Sequence, residues 1–442
     1  MKKILSLVGF ILFCHCPEAQ ILKKIMDKTI QKTEDKISDK VSDKAADAAT
    51  KPVENAADGN NTSASQNKNT DSGNQNVSNS ETEQTAKNTV LPASLATYSK
   101  FDFVPGEKIL VYEDFSNDTK GDFPNQWNTN GSGEIVTIEG QEGNWFMVNK
   151  KGRFIPEFIT SLPENFTFEF DLICNEKFSF YSDALSLYFI TNEDSKRNFD
   201  YNFLSTDARS GIILDMHPTN AGSNGGLSKV VVFQGGAEVM QNTLNTTMFN
   251  ANAAKTKVRV SVWRQKQRLR MYLNEEKVFD LPRAFMADKK YQLVMFELAN
   301  GMSADNDKYL IGNMKLAVGA PDTRNKLITE GKFSTTGILF DVNSDKIKPE
   351  SYGVLKDIAD VLKENAGINI KIIGHTDSDG DEKMNLELSK KRAASVQNAL
   401  VGNFSIATSR IKTDGMGESN PVADNNMPSG KANNRRVEFI KM

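Results

Sequence analysis

The chain has 442 residues, 54 of them basic and 57 acidic, for a formal charge of −3, with 25% charged and 38% hydrophobic residues; at roughly 100 to 200 residues per domain this suggests two or three domains of ordinary soluble composition. Balanced charge excludes bulk attraction to nucleic acid or to an anionic membrane. Three cysteines and three histidines exclude a disulfide scaffold and a His-rich metal enzyme.

The first predicted element is an export signal. Met1-Lys2-Lys3 precedes an apolar run of about 10 residues from Ile4 to Phe13, and Pro17-Glu18-Ala19 follows before Gln20, which reads as a secretory signal peptide, residues 1–19, cleaved after Ala19 and too short to span a bilayer. The bland alternative is an uncleaved anchor or a short buried helix. Cys14 and Cys16 follow Phe13 and His15, where a lipobox needs a small residue, so no lipid anchor is expected. Cleavage leaves Cys174 alone, expected to be a small buried hydrophobe and not a reactive thiol. Residues 20–51 repeat Asp35-Lys36, Asp39-Lys40 and Asp43-Lys44, with Ile37, Val41 and Ala45 at helical spacing: either a short coiled coil or a charged, partly helical spacer. Residues 52–97 collapse to Asn, Ser, Thr, Gln, Asp and Glu and read as a disordered linker, with a reach of roughly 30 to 40 Å.

Residues 98–320 carry short alternating runs bounded by Gly, Asn, Asp and Pro, at 165–172, 183–190, 211–215, 229–233 and 257–262, the period-two signature of antiparallel strands in an all-β sandwich. Val258, Val260 and Val262 line one strand face, Gln265-Lys266-Gln267 form the turn, and Leu269, Met271 and Leu273 line the return, before a short strand at 277–280 that stops at Pro282. Together with Tyr112-Glu-Asp-Phe115 and Phe123-Pro-x-x-Trp127, this hairpin resembles those of concanavalin-like or laminin-G-like jelly rolls. The resemblance implies a two-sheet sandwich of a class whose members often bind glycans, so a glycan or an envelope protein is its expected partner. A transmembrane barrel also alternates, but with strands of about 9 to 11 residues, and these runs are mostly shorter. Glu169 and Asp171 stand two apart on one strand face, similar to the Glu-x-Asp of jelly-roll glycoside hydrolases. Retaining catalysis needs a nucleophile and a separate acid about 5 to 5.5 Å apart, and the expected last carboxylate position holds Ile173 or Cys174. Both carboxylates are therefore expected on the wet face of a half-buried strand.

From about residue 328 to 442 strands alternate with helices. Residues 333–340 read as a strand, and Pro349 suits the first turn of a helix whose apolar stripe is Tyr352, Leu355, Ala359 and Leu362, ended by Gly367 in a left-handed cap. Ile368, Ile370 and Ile372 alternate in a second strand that runs into Gly374-His375-Thr376-Asp377. A long helix over about 382–401, with Leu386, Ala393, Val396 and Leu400 buried, and strands at 411–414 and 436–441 complete an α/β layer.

Gly374-His-Thr-Asp377, Gly380, Asn385, Leu388-Ser389, Arg392-Ala393, Gly415-x-Gly417, Pro421 and Asn434-Arg435-Arg436-Val437 together resemble the OmpA-like C-terminal domain, found also in peptidoglycan-associated lipoprotein and the flagellar motor protein MotB. Met427, Ser429 and Lys431 stand where Thr, Glu and Arg are usual. The resemblance implies noncovalent binding of peptidoglycan through the diaminopimelate of its stem peptide, with Asp377 and Arg392 as the main pair and Asn385, Asn343 and Thr376 as further contacts. Chemistry supports the pair independently. Arg392 borders the apolar stripe, so its guanidinium would be partly desolvated and want an anion, and a zwitterionic ligand end suits a guanidinium fork beside an aspartate. Asn385 lies seven residues before Arg392, two helical turns, hence on the same face. The bland alternative for Asp377 and Arg392 is a plain ion pair tying loop to helix. Asn434, Arg435 and Arg436 are expected to brace the terminal strand or to reach a polar ligand group. The spacing of Asp377-Ser-Asp379-Gly-Asp381 does not fit an EF-hand, so no metal and no cofactor are expected.

The expectation is a noncatalytic exported protein: a β-sandwich followed by an α/β OmpA-like domain, at the periplasmic face of a Gram-negative outer membrane, binding peptidoglycan and no nucleic acid. The rival expectation is a carbohydrate-active enzyme with a catalytic sandwich anchored to the wall by the C-terminal module.

Overall fold

A computed structural model describes residues 101–221, 224–319 and 326–442. The expected signal peptide (1–19), charged segment (20–51) and linker (52–97) lie outside the described residues. The described residues belong to one compact unit, built from three sheets.

The alternating runs form two antiparallel sheets of eight and seven strands. In the larger sheet Asn165–Cys174 lies between Lys257–Gln265 and Tyr309–Val318, and Lys108–Glu113 pairs with Tyr309–Val318. In the other, Leu185–Ile190 lies between Gly211–His217 and Leu293–Leu298. Period two decides which side chains meet: Phe166, Phe168, Phe170, Leu172, Val258, Val260 and Val262 from one sheet enclose a core with Leu187, Phe189, Ile212, Leu214 and Val232 from the other. Among the described residues each of the two sheets ends on an unpaired strand and is open. Lys266 turns the predicted hairpin with φ 54°, and Leu269, Met271 and Leu273 are fully buried on its return. Cys174 is buried, and burial pushes its thiol up to about 12, which keeps it inert at neutral pH.

Glu169 and Asp171 are not on a wet face. Glu169 pairs with Lys315 at 2.8 Å and Arg259 at 3.4 Å, and Asp171 with Arg259 at 3.0 Å. Burial lowers the Lys315 ammonium, with Glu169 opposing. Burial works against the Asp171 carboxylate, yet Arg259 and the Asn313 amide hold it below its usual range.

Glu113, at the end of the first strand, has the opposite character. Burial raises its carboxyl to about 7 from an ordinary 4.5, with Asp118 and Asp114 pushing the same way against the Phe115 N–H that donates to it at 2.8 Å. A raised acid binds its proton more tightly in the fold, so its contribution to stability is full below pH 4.5 and is lost as pH rises through about 7. Glu113→Gln should therefore match the wild type at pH 4.5 and exceed it by ~2 kcal/mol at pH 8, as denaturant unfolding at the two pH values would read.

The C-terminal module holds a four-stranded sheet in the order Lys332–Thr335, Val437–Lys441, Ile370–His375 and Ile411–Gly417, the last pair parallel. With α1 (Phe203–Thr206) in the two-sheet part, the module's helices are α2 (Tyr352–Glu364), α3 (Glu382–Phe404) and α4 (Pro428–Asn434). Three local expectations are corrected. The strand predicted over 333–340 stops at Thr335, whose hydroxyl accepts the Gly337 N–H at 3.0 Å and turns the chain. Helix α2 is not ended by a left-handed Gly367; the Asn365 amide donates to the Val361 carbonyl at 2.8 Å and Arg410 to the Leu362 carbonyl at 2.9 Å, satisfying the last turn instead. In α3, Ala393, Val396 and Leu400 are fully buried but Leu386 is 36% exposed, and polar Asn385 and Ser389 face inward in the first turns.

The two-sheet domain and the module share one seam. Residues 101–106 run between them: Phe103 packs edge-on against Trp263 and Tyr272, with ring centroids 6.0 and 5.4 Å away. The same apolar cluster continues through Val354, Leu355 and Ile358 of α2 to Ile370 and Phe439. Beyond it, Ile109 and Ala317 pack against Ala432 of α4. Asn433 reads the first strand's backbone, accepting the Ile109 N–H and donating to its carbonyl, both at 3.0 Å. Nothing in the periodicity of 101–106 announces that its apolar side chains complete the core of a module more than 200 residues downstream.

Candidate functional site

The site is built on the loop after Ile370–His375. Ser389 of α3 ties the helix to the neighbouring strand, accepting the Gly417 N–H at 2.9 Å while donating to the Leu386 carbonyl. The Thr376 N–H donates to the Gly417 carbonyl at 2.9 Å. Asp381 caps α3, accepting from the Lys383 and Met384 N–H groups at 3.0 and 3.1 Å. The loop 376–381 is therefore held at both ends.

Within it Asp377 is 7% exposed. One carboxylate oxygen accepts the Asp379 N–H at 3.2 Å and the other pairs with Arg435. Thr376 is also buried, and its hydroxyl has no hydrogen-bond partner among the described residues. Asn385 spends its amide on the loop, donating to the Asp379 carbonyl at 3.0 Å and to Glu418 at 2.6 Å; it braces the loop and does not present a free amide.

Arg392 stands two turns further along α3. Its Nε donates to the Ser344 carbonyl at 2.9 Å, and its guanidinium lies 4.9 Å from the Phe340 ring centroid. Burial lowers its pKa, and the Arg435 charge acts in the same direction against Asp377 and Asp345. No carboxylate pairs directly with Arg392 among the described residues. The plain Asp377–Arg392 ion pair is therefore not formed: Asp377 pairs with Arg435, and Arg392 is left as a half-desolvated cation. Asn343, with φ 51°, is exposed in the turn beside Ser344. Asp345 holds that turn to α3 by accepting the Ser395 hydroxyl at 3.2 Å.

Arg435 is the group that pattern reasoning placed too loosely. Asn434 and Arg436 do brace the chain end: Asn434 accepts the Val422 and Ala423 N–H groups at 2.8 and 3.0 Å, and Arg436 pairs with Glu438 at 2.8 Å. Arg435, between them, points to the site. The one available signal was its position immediately after α4 and ahead of the terminal strand, where alternation sends it to the opposite side from Arg436.

Arg392, a cation with no directly paired carboxylate among the described residues, stands beside the paired Asp377 and Arg435, an arrangement that can receive an anionic or zwitterionic group. Residues 339–435 match the OmpA family. Outer membrane porin F of Pseudomonas fluorescens is 45% identical over 101 residues, 23% of this chain and 31% of that protein. Probable lipoprotein YiaD of Escherichia coli is 44% identical over 102 residues, 23% and 46% respectively. Peptidoglycan-binding protein ArfA of Mycobacterium bovis is 39% identical over 103 residues, 23% and 31%. The chain thus spans less than half the length of each of these relatives, and residues 339–435 include Asn343, Thr376, Asp377, Asn385, Arg392 and Arg435. Residues 339–435 form an OmpA family domain.

Proposed function

We propose that this protein binds peptidoglycan noncovalently through the diaminopimelate of the stem peptide, with Arg392 receiving the distal carboxylate and Asp377 the ammonium. The observation that carries the reading is Arg392, half-buried over Phe340 and without a carboxylate of its own, within electrostatic reach of Asp377. A desolvated guanidinium gains most from an anion that arrives with its own hydrogen-bond geometry. Thr376 offers an unpartnered hydroxyl, and Asn343 an exposed amide at the rim. The name of the mycobacterial relative, a peptidoglycan-binding protein, supports the same ligand.

The outer-membrane name of the Pseudomonas relative supports a place in the cell envelope. With an export signal at 1–19, the protein would work at the periplasmic face of a Gram-negative outer membrane and link the wall to it or to a partner of the two-sheet domain. We read that domain as a concanavalin/laminin-G-like jelly roll with a glycan or an envelope protein as partner, and the protein as noncatalytic. Glu169 and Asp171 support the last point, because both are committed to Lys315 and Arg259.

Sedimentation of the full chain with purified sacculi tests the reading. The chain should pellet with diaminopimelate-type sacculi and bind lysine-type walls about tenfold or more weakly, because a lysine side chain lacks the carboxylate that Arg392 would meet. Equal binding to both would overturn the carboxylate assignment.

A further inference from the structure

Arg435 touches both halves of the molecule. It pairs with Asp377 in the module, and its guanidinium lies 5.6 Å from the ring centroid of Tyr112, on the first strand of the two-sheet domain. Tyr112 is itself fixed: its hydroxyl donates to Asn313 at 3.3 Å, whose amide donates to Asp171 at 2.8 Å, and Asp171 accepts Arg259 at 3.0 Å. The Asn433 clamp on Ile109 ties the same strand to the end of α4 two residues before Arg435. The Tyr112 hydroxyl is thus tied to an ion-paired group of its own sheet, and its strand is tied to α4 by the Asn433 bonds to Ile109. The Arg435 side chain remains 39% exposed, and of its five donors the bond to Asp377 uses Nη1.

We propose that the two-sheet domain is a working part of the wall-binding site: Tyr112 is a positioning residue whose ring holds Arg435 against Asp377, presenting a second guanidinium beside Arg392 to the carboxylates of the stem peptide. This rests on the stem-peptide reading above. It adds that affinity depends on the seam between the domains, so that a group outside the OmpA family segment helps to set it. A flexible arginine loses side-chain entropy when it meets a ligand, and a ring that already restrains it removes part of that cost.

The test is the affinity of the full chain for a soluble muropeptide carrying a diaminopimelate stem. Tyr112→Leu should bind about fivefold more weakly and Tyr112→Phe within about twofold of wild type, because the ring and not the hydroxyl meets the guanidinium. Arg435→Ala should weaken binding further, and adding Tyr112→Leu to it should change nothing more, since the two act through one contact. Arg435→Lys, which keeps the charge but loses the planar fork and the stacking, should fall near Tyr112→Leu, and it carries the test if the leucine variant lowers the unfolding midpoint. Unchanged or tighter binding by Tyr112→Leu and Arg435→Lys, or losses that multiply in the double variant, would overturn the proposal. If Arg392→Ala and Asp377→Ala weaken binding while Tyr112 and Arg435 variants do not, only this inference falls. If none of the four matters, the stem-peptide reading falls with it.

Discussion

Arg392→Ala should weaken binding to diaminopimelate-type sacculi by about 2 to 5 kcal/mol, at least ~30-fold, because it leaves a ligand carboxylate desolvated and unpaired. The guanidinium is already stripped of much of its water by burial, so the fold has met part of the desolvation cost before the ligand arrives. Arg392→Lys should recover only a fraction of the loss, since an ammonium cannot reproduce a bidentate fork. Asp377→Ala should fall in the same range and should also release Arg435, with which it pairs. Titration of each variant against purified sacculi reads the effect, and wild-type binding by both alanine variants would remove the site from Asp377 and Arg392.

Phe103→Ala should lower the unfolding free energy of the full chain by about 3 to 4 kcal/mol, the cost of a cavity where a buried ring is removed. Phe103 is 3% exposed and packs at once on Trp263 and Tyr272 of the larger sheet and within the cluster that includes Val354 and Leu355 of α2. Its loss opens the seam itself and not one core. Gly353→Ala should act at the same place from the other side. A Cβ built on Gly353 runs into the Phe103 carbonyl oxygen, a backbone atom that cannot rotate away. The substitution should destabilise by about 2 kcal/mol despite the better helix propensity of alanine. Gly402→Ala in α3 is the control, because a Cβ there meets open space, and propensity alone should stabilise by up to ~1 kcal/mol. Denaturant unfolding of the three variants checks the set. A cost below ~1 kcal/mol for both Phe103→Ala and Gly353→Ala would mean that the seam contributes little to stability.

Pattern was enough wherever a single periodicity governs burial. The alternation at 165–172 and 257–262 put Phe166, Phe168, Phe170 and the three valines in the core where they are found, because a pleated strand has only two faces. The motif spacings likewise located the loop holding Asp377 and the helix holding Arg392, since local hydrogen bonds from Asp381 and Ser389 fix loop and helix within one short stretch.

Other features depended on contacts that no local pattern encodes. Glu169 and Asp171 have the alternation of solvent-facing residues, yet Glu169 is buried and Asp171 mostly covered, because Lys315 and Arg259 from neighbouring strands neutralise them. Leu386 has the spacing of a core residue, yet α3 turns Asn385 and Ser389 inward because the loop and the strand beside it need polar partners. The sequence by itself indicated the two kinds of domain, the strands with the clearest alternation, the two long helices of the module, and Asp377 and Arg392 as a candidate pair. Only the tertiary structure decided that Asp377 pairs with Arg435 and not with Arg392, and that Phe103 and Tyr112 bring the two-sheet domain against the module. Asp377 and Arg435 lie 58 residues apart, and Phe103 and Tyr112 lie hundreds of residues from the module groups they meet, so burial and charge pairing, and not spacing along the chain, set the partners.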